Sequence, residues 1–192
     1  MTTCVITAGP SAGKSSTIRE LSARGYRTLP EAARILFDQR ISEGDDPEAV
    51  RQEDDFHEQV EVIDQQIESH IPDSDEIVFL DRSMVDNLAY RRQFGNDDPD
   101  SIDKICQHSV EKYDYVFILE RIDFKDDEVR SEDEEEARKT HEAIIEAYED
   151  LGFETIDVPL MPVDDRADFI LHEIAGNNDL QAFDEPWRGA IH

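Results

Sequence analysis

Lysine is close to absent from this chain. Only Lys14, Lys104, Lys112, Lys125 and Lys139 occur in 192 residues, and lysine and arginine together number 19 against 48 aspartates and glutamates, a formal charge of −29 at pH 7. Polyanions are bound by neutralising their phosphates with cations, so this balance argues against a nucleic-acid partner. It argues equally against electrostatic docking to anionic lipid. The acid excess is dispersed along the chain, and arginine stands where lysine is usual. Such a surface repels itself in dilute buffer and is screened at molar salt, the pattern expected of a proteome adapted to high salt. Cysteine is scarce too. Cys4 and Cys106 supply no disulfide framework and read as reduced thiols. No apolar run is long enough to span a bilayer and no leader segment is evident, so a cytoplasmic protein without membrane insertion is expected. Glycine numbers only eight, and two of these, Gly9 and Gly13, stand close together near the start.

Around those two glycines lies the most informative stretch. Cys4-Val-Ile-Thr-Ala8 is a short apolar run that leads into Gly9-Pro10-Ser11-Ala12-Gly13-Lys14-Ser15-Ser16 and then a helical pattern through Leu21. Strand, glycine-rich turn and helix in that order are the setting of a phosphate-binding loop. Backbone N–H groups of the loop over residues 9–16, Pro10 excepted, and of the start of the helix would form a concave anion site. Lys14 would reach the β- and γ-phosphates of ATP or GTP, and the Ser15 hydroxyl would hold Mg²⁺.

At this length a single packed domain is expected, 1–175, followed by an acidic tail over 176–192. Strand patterns at Cys4–Ala8, Tyr26–Leu29, Ile77–Asp81, Tyr115–Leu119 and Glu154–Val158 alternate with helical ones, which predicts an α/β fold with a parallel sheet. Ile77–Asp81 and Tyr115–Leu119 are apolar almost throughout, as central strands covered on both faces are. Apolar stripes at Ala33, Leu36, Phe37 and Ile41, then at Ala137, His141, Ile144, Tyr148 and Leu151, then at Ala167, Ile170, Leu171 and Ile174, predict three helices. A fourth, long helix is predicted from Pro47, with Asp46 as its N-cap and a stripe at Phe56, Val60, Ile63 and Ile67. Ser131 and Glu134 have capping-box spacing, and Gly152 fits a helix stop. In the tail, Phe183 and Trp187 either belong to a loose segment or dock on the domain or a partner.

A phosphate loop needs an acidic group near its metal, usually at the end of a neighbouring strand. Asp81 has that place at the carboxyl edge of its strand, where such sheets bind ligands; a strand-end salt bridge is the alternative. Arg82 follows and can hold an acceptor oxygen or a transferring phosphoryl group. Glu31 falls at a strand-to-helix junction on the same edge. It can take a proton from an attacking hydroxyl or simply stabilise a helix start; Arg34 lies one turn on. Between Glu120 and Ser131 lies the place of a mobile lid, where Arg130 and Arg121 can neutralise phosphoryl charge or face solvent. Asp127 can orient an arginine there or be a plain solvated charge. The Val158–Val163 stretch either lines a purine base or makes a rigid turn. Histidine and cysteine show no metal-ligand spacing.

Taken together, Ala8–Ser15, Pro30-Glu31-Ala-Ala-Arg34, Asp81-Arg82-Ser83 with Asp86, Asp126-Asp127-Glu-Val-Arg130 and Tyr148–Gly152 resemble a family of small P-loop ATPase/kinase-like proteins. That family is grouped with the ribosylnicotinamide kinase domain of the bifunctional NAD-biosynthesis regulator. The resemblance spans roughly residues 2–175. It implies a three-layer P-loop NTPase fold with a five-stranded parallel sheet in the order 2-3-1-4-5. Pro30-Glu31 and Asp81-Arg82-Ser83 also look like the equivalent pairs of deoxynucleoside kinases, which implies Glu31 as base and Arg82 on the acceptor. The chain departs from the pattern at Ala8, in place of the first loop glycine, and at Glu128, where glycine is frequent. The expected activity is Mg²⁺-dependent transfer of a γ-phosphoryl group from ATP or GTP to a nucleoside-like acceptor. The rivals are a nucleotide-dependent switch with a protein partner or as a homodimer, and a nucleoside monophosphate kinase using Arg34, Arg91 and Arg92.

Overall fold

A computed structural model describes residues 2–51, 53, 55–71, 76–94, 104–105, 112–121 and 132–176. Cys106, the lid with Asp127 and Arg130, the cap residue Ser131 and the tail with Phe183 and Trp187 lie outside the described residues. Five parallel strands form the sheet: β1 (Thr2–Thr7), β2 (Arg27–Leu29), β3 (Ile77–Asp81), β4 (Tyr115–Leu119) and β5 (Thr155–Val158). Their order is β2-β3-β1-β4-β5, as the family resemblance implied. β1 is therefore central, and the turn that leaves it opens between β3 and β4. In register, Ile6 lies beside Asp81 on one side and Phe117 on the other.

Side chains that alternate along the strands feed two cores. Cys4, Ile6, Phe79, Phe117 and Leu119 face α1 (Lys14–Ala23) and the last helix, α7 (Val163–Gly176), where Leu21, Phe169 and Ile170 meet them. Val5, Val78, Leu80, Val116 and Ile118 face α5 (Met84–Phe94) and α6 (Glu132–Asp150), where Met84, Leu88, Ile144 and Tyr148 close the core. Full burial of one such side chain contributes about 1.5–3 kcal/mol. The resulting helix–sheet–helix stack leaves the carboxyl edge of the strands as the one place where β1, β2 and β3 all end beside helix starts. Among the described residues no helix is long and apolar enough to cross a membrane.

Two expectations need correction. The long helix from Pro47 is broken into α3 (Pro47–Arg51) and α4 (Phe56–Ser69). Asp46 does cap the start, its Oδ1 accepting the Ala49 N–H at 3.1 Å. The break falls where Glu53 is held by Arg40 of α2 (Ala32–Glu43), through Nη1 at 3.0 Å and Nη2 at 2.5 Å, and by Gln59 at 3.2 Å. These tertiary bonds fix Glu53 off the helical path, and the chain restarts when its carbonyl accepts the Phe56 N–H. The stripes also differ. Ile41 is 47% exposed, whereas Glu61, Asp64 and Glu68 of α4 are buried. Each of the three has a partner: Glu61 the guanidinium of Arg91 at 2.5 Å, Asp64 the amide of Asn87 at 2.7 Å, and Glu68 the hydroxyl of Tyr113 at 2.6 Å. Burial still pushes the Asp64 carboxyl well above the usual carboxylate range, against the Asn87 bond. The predicted stripe of Phe56, Val60, Ile63 and Ile67 does pack, against Ala32 and Leu36 of α2, and a polar seam that the spacing did not predict runs beside it, where Arg91 and Asn87 of α5 and Tyr113 supply the donors.

Candidate functional site

The loop after β1 folds as its residues dictate. Gly13 has φ +83°, a left-handed conformation that favours glycine, and its carbonyl accepts the N–H groups of Ser16 and Thr17 to start α1. Pro10, Ser11 and Ser15 are exposed, while Ala12 and Lys14 are buried. The Lys14 Nζ turns back into the loop and donates to the carbonyls of Ala8 at 3.1 Å and Gly9 at 3.0 Å. Burial lowers its pKa to about 8, with Arg82 adding to the effect and Glu31, Asp86 and Asp81 opposing it. The same electrostatic set therefore joins the loop lysine to the three acids and the arginine at the strand ends.

Asp81 closes β3 and is 8% exposed. Its Oδ1 is buried with no hydrogen-bond partner among the described residues. Burial and then the Glu31 charge raise its carboxyl to about 6, against Lys14 and Arg82. A buried carboxylate oxygen left without a donor, on the strand beside the phosphate loop, fits the chemistry of a divalent-cation ligand.

Arg82 comes next, with φ +71°, a strained backbone for a non-glycine residue. Its N–H donates to the Ile6 carbonyl at 3.1 Å, which ties the strained residue to β1. The guanidinium bridges two acids, Nε to Glu31 Oε1 at 3.0 Å and Nη1 to Asp86 Oδ1 at 2.8 Å, and lies over the Tyr90 ring at 5.4 Å. Glu31 itself stands at the N-terminus of α2 with extended backbone. Asp86 is the hub. It accepts from Thr7 Oγ1, Arg82 Nη1, the Ser83 N–H at 3.1 Å and the Tyr148 hydroxyl at 2.7 Å. Because Tyr148 spends its proton on Asp86, the Ser83 hydroxyl donates to Tyr148 at 2.7 Å. Strand β1, the turn after β3, the start of α2 and helices α5 and α6 thus converge on one network, and it fixes the guanidinium of Arg82.

Sequence spacing foresaw Glu31, Asp81, Arg82 and Lys14 as one group, and the structure brings them together. It did not foresee two further contacts of the loop. His141 of α6 reads as one member of an apolar stripe, yet its Nδ1 accepts the Gly9 N–H at 3.0 Å. The Gly9 amide is thereby occupied, and a Cβ at Gly9 would meet the His141 Cβ at 2.7 Å and the Ala137 carbonyl at 2.9 Å. Gly9 is needed for the close approach of α6, a different reason from the phosphate contact expected of it. Burial, then Arg121 and Lys14, hold His141 below the ordinary histidine pKa. On the other flank Arg166 of α7 reaches the Ala12 carbonyl at 3.1 Å. Only its place beside Ala167 on the helix stripe hinted at burial. Within the Val158–Val163 stretch, Leu160 is 49% exposed and bonded through its N–H to Glu120 at 3.0 Å. Arg121 lies just past β4, half-buried.

A central strand running into a glycine-bent loop that starts a helix, with an acid at the end of the adjoining strand and a 2-3-1-4-5 parallel sheet, defines a P-loop ATPase/kinase-like protein. The chain belongs to a family of AAA domains, AAA_28, whose model matches residues 3–166. Among solved structures it is similar to the NadR protein in complex with NR, with 17% identity and a TM-score of 0.67. That match covers 91% of this chain and 51% of the other, so the chain spans about half the length of that protein. It is also similar to shikimate kinase from Acinetobacter baumannii (16% identity, 92% of this chain and 94% of that one, TM-score 0.58). A third likeness is to deoxyadenosine kinase from M. mycoides with bound dATP (17% identity, 91% and 99%, TM-score 0.53). Identity this low carries the fold. No curated protein sequence matches the chain.

Proposed function

We propose that this protein is a Mg²⁺-dependent small-molecule kinase that moves the γ-phosphoryl group of ATP or GTP to a hydroxyl of a nucleoside-like acceptor, in the cytoplasm. The observation that carries the reading is the Glu31–Arg82–Asp86 bridge at the strand ends, electrostatically joined to Lys14 of the phosphate loop. An acid and an arginine, pre-positioned together beside a phosphate loop, are what hydroxyl activation and acceptor orientation require.

Residues 10–16 would bind the phosphates, and Lys14 would exchange its two loop carbonyls for the β- and γ-phosphate oxygens. Ser15 and Asp81 would hold the metal, which supplies charge neutralisation of the phosphate oxygens. Glu31 accepts the hydroxyl proton as the acceptor oxygen bonds the γ-phosphorus and the bond to the β-phosphate bridging oxygen breaks, with the diphosphate leaving. Arg82, fixed by Asp86, orients the acceptor. Arg121 and, from outside the described residues, Arg130 would meet the charge of the group in transfer. The rival monophosphate-kinase arrangement has less support: Arg91 is paired with Glu61 and Arg92 with Asp150 at 2.7 Å.

A switch with slow hydrolysis and a protein partner or second copy is the alternative, favoured by one contact. The His141–Gly9 bond links the phosphate loop to α6, the helix that follows the lid. The test is Mg²⁺-dependent transfer from ATP and GTP at molar KCl, with nucleosides, ribosylnicotinamide, shikimate, nucleoside monophosphates and a no-acceptor control. A phosphorylated nucleoside-like product with acceptor-dependent diphosphate release is the expected result. Tight binding with only slow, acceptor-independent hydrolysis would replace the kinase with the switch.

A further inference from the structure

Arg166 is 5% exposed and sits behind the phosphate loop. Its Nη1 donates to the Ala12 carbonyl at 3.1 Å and Thr17 Oγ1 at 3.3 Å, and its Nη2 to the Met161 carbonyl at 3.3 Å. All three acceptors are neutral. Its Nε is buried without a partner, and among the described residues no carboxylate pairs with it. In a chain with 48 acidic residues this is out of pattern. Among the described residues, the buried Arg91 and the largely buried Arg82 each carry a carboxylate partner. Burial alone pulls the Arg166 pKa down. The guanidinium also presses against the bend of the loop, where a Cβ on Gly13 would meet Nη1 at 2.8 Å. A buried cation without a counter-charge costs stability, so the counter-charge is to be sought in a ligand. Among the described residues, the anion site that the guanidinium backs is the phosphate loop, across the Ala12–Gly13 backbone.

We propose that Arg166 is a positioning residue of the nucleotide site: a second buried cation, behind Lys14, whose charge acts on the bound phosphates through the loop backbone while its fork ties the Met161 turn to that loop. The inference rests on nucleotide binding at the loop and is independent of which acceptor is used. Its mark is an effect that grows with phosphate charge. A purely mechanical brace would weaken every nucleotide alike.

Binding of AMP, ADP and ATP to wild type, Arg166→Gln and Arg166→Lys, by calorimetric titration of the full chain, tests it. For Arg166→Gln the expected loss is about threefold or less for AMP and about tenfold or more for ATP, with ADP between, as a charge interaction across a few ångströms of protein requires. Because the cation is buried, the ATP deficit persists at molar KCl. Arg166→Lys, which keeps the charge, stays within about threefold of wild type for ATP. Equal losses across the three nucleotides in Arg166→Gln overturn the proposal. If Arg166→Gln does not fold, Arg166→Lys decides: ATP affinity within threefold supports the charge, and a tenfold loss shared by AMP and ATP overturns it. If wild type binds none of the three, GMP, GDP and GTP take their place in the same series, and if it binds none of those either, it is the nucleotide reading that fails.

Discussion

Two regions of this molecule handle buried charge in opposite ways. Along the seam between α4 and α5 every buried acid is closed off: Glu61 by Arg91, Asp64 by Asn87, Glu68 by Tyr113. At the phosphate loop the charges are left open. Among the described residues Asp81 has an oxygen with no donor and Arg166 a nitrogen with no acceptor, and Lys14 is parked on two backbone carbonyls. Both regions are buried to the same degree. The seam's acids take their partners from the chain, while on the proposed function the loop's would come from bound nucleotide and metal.

The comparison is broken most forcefully from the seam side. Arg91→Met strands the Glu61 carboxylate in a buried position, which costs about 3–5 kcal/mol. Chemical denaturation should show that loss. At temperatures where the variant is folded, its nucleotide affinity should match wild type, because the seam serves the fold. A nucleotide defect in Arg91→Met would move the seam into the site. The mirror experiment is Lys14→Met. It frees two carbonyls but removes no ion pair, so stability should change little. Phosphoryl transfer should fall about a thousandfold, the upper range for loss of one preorganised charge.

Glu31→Gln comes next. It keeps a hydrogen-bond acceptor for Arg82 and removes the base, so transfer should drop about a hundredfold with nucleotide Kd unchanged. Retained transfer would leave Glu31 as a mere tether for Arg82. Asp81→Asn tests the open side directly. The Asp81 carboxyl is raised from 3.8 to about 6, so between those values the folded state holds more protons than the unfolded one, and stability falls as pH rises. The cost reaches about 2–3 kcal/mol above pH 6. Asp81→Asn should therefore flatten that pH dependence and make the ligand-free protein more stable at pH 7. It should also lose Mg²⁺-dependent tightening of ATP binding. Unchanged stability profiles would mean the orphaned oxygen carries no such penalty.

The sheet and its helices were legible in the sequence because their residues obey local rules. Ile77–Asp81 and Tyr115–Leu119 are apolar on both faces, and the structure begins and ends both strands where that run does. The site was legible where residues sit at strand ends: Lys14, Glu31, Asp81 and Arg82 each follow a strand and so must reach the same edge. What stayed hidden depends on helices approaching from afar. Nothing local separates Glu61, Asp64 and Glu68 from solvated acids, since their donors lie on α5 and at the start of β4. His141 and Arg166 touch the loop 132 and 154 residues away in sequence, and helical spacing places them on a face without saying what that face meets. The break before α4 was hidden for the same reason: Arg40, on another helix, enforces it.

The smallest expected effect sharpens the comparison most, because His141 stands between the two regions' styles. Its Nδ1 is satisfied by the Gly9 N–H, and burial, then Arg121 and Lys14, hold it below its ordinary pKa against Asp157 and Glu142. A histidine whose folded pKa is depressed contributes stability that is complete above the unfolded value near 6.5 and is lost as pH falls through the folded value. Protonation turns the Nδ1 acceptor into a donor and sets it against the Gly9 N–H, so α6 loses its bond to the loop. Thermal unfolding of wild type between pH 5 and 8 should thus fall more steeply on the acid side than that of His141→Asn, by less than about 1 kcal/mol. ATP works the other way, since its negative charge near His141 favours the imidazolium and brings its folded pKa back towards the unfolded value, so bound nucleotide should flatten the acid limb and carry the loss to lower pH. Calorimetry in two buffers of different ionisation heat would register that as greater proton uptake on binding in wild type than in His141→Asn, the part common to both belonging to Lys14 and Asp81. Uptake equal in both proteins would leave His141 as a simple prop for the loop.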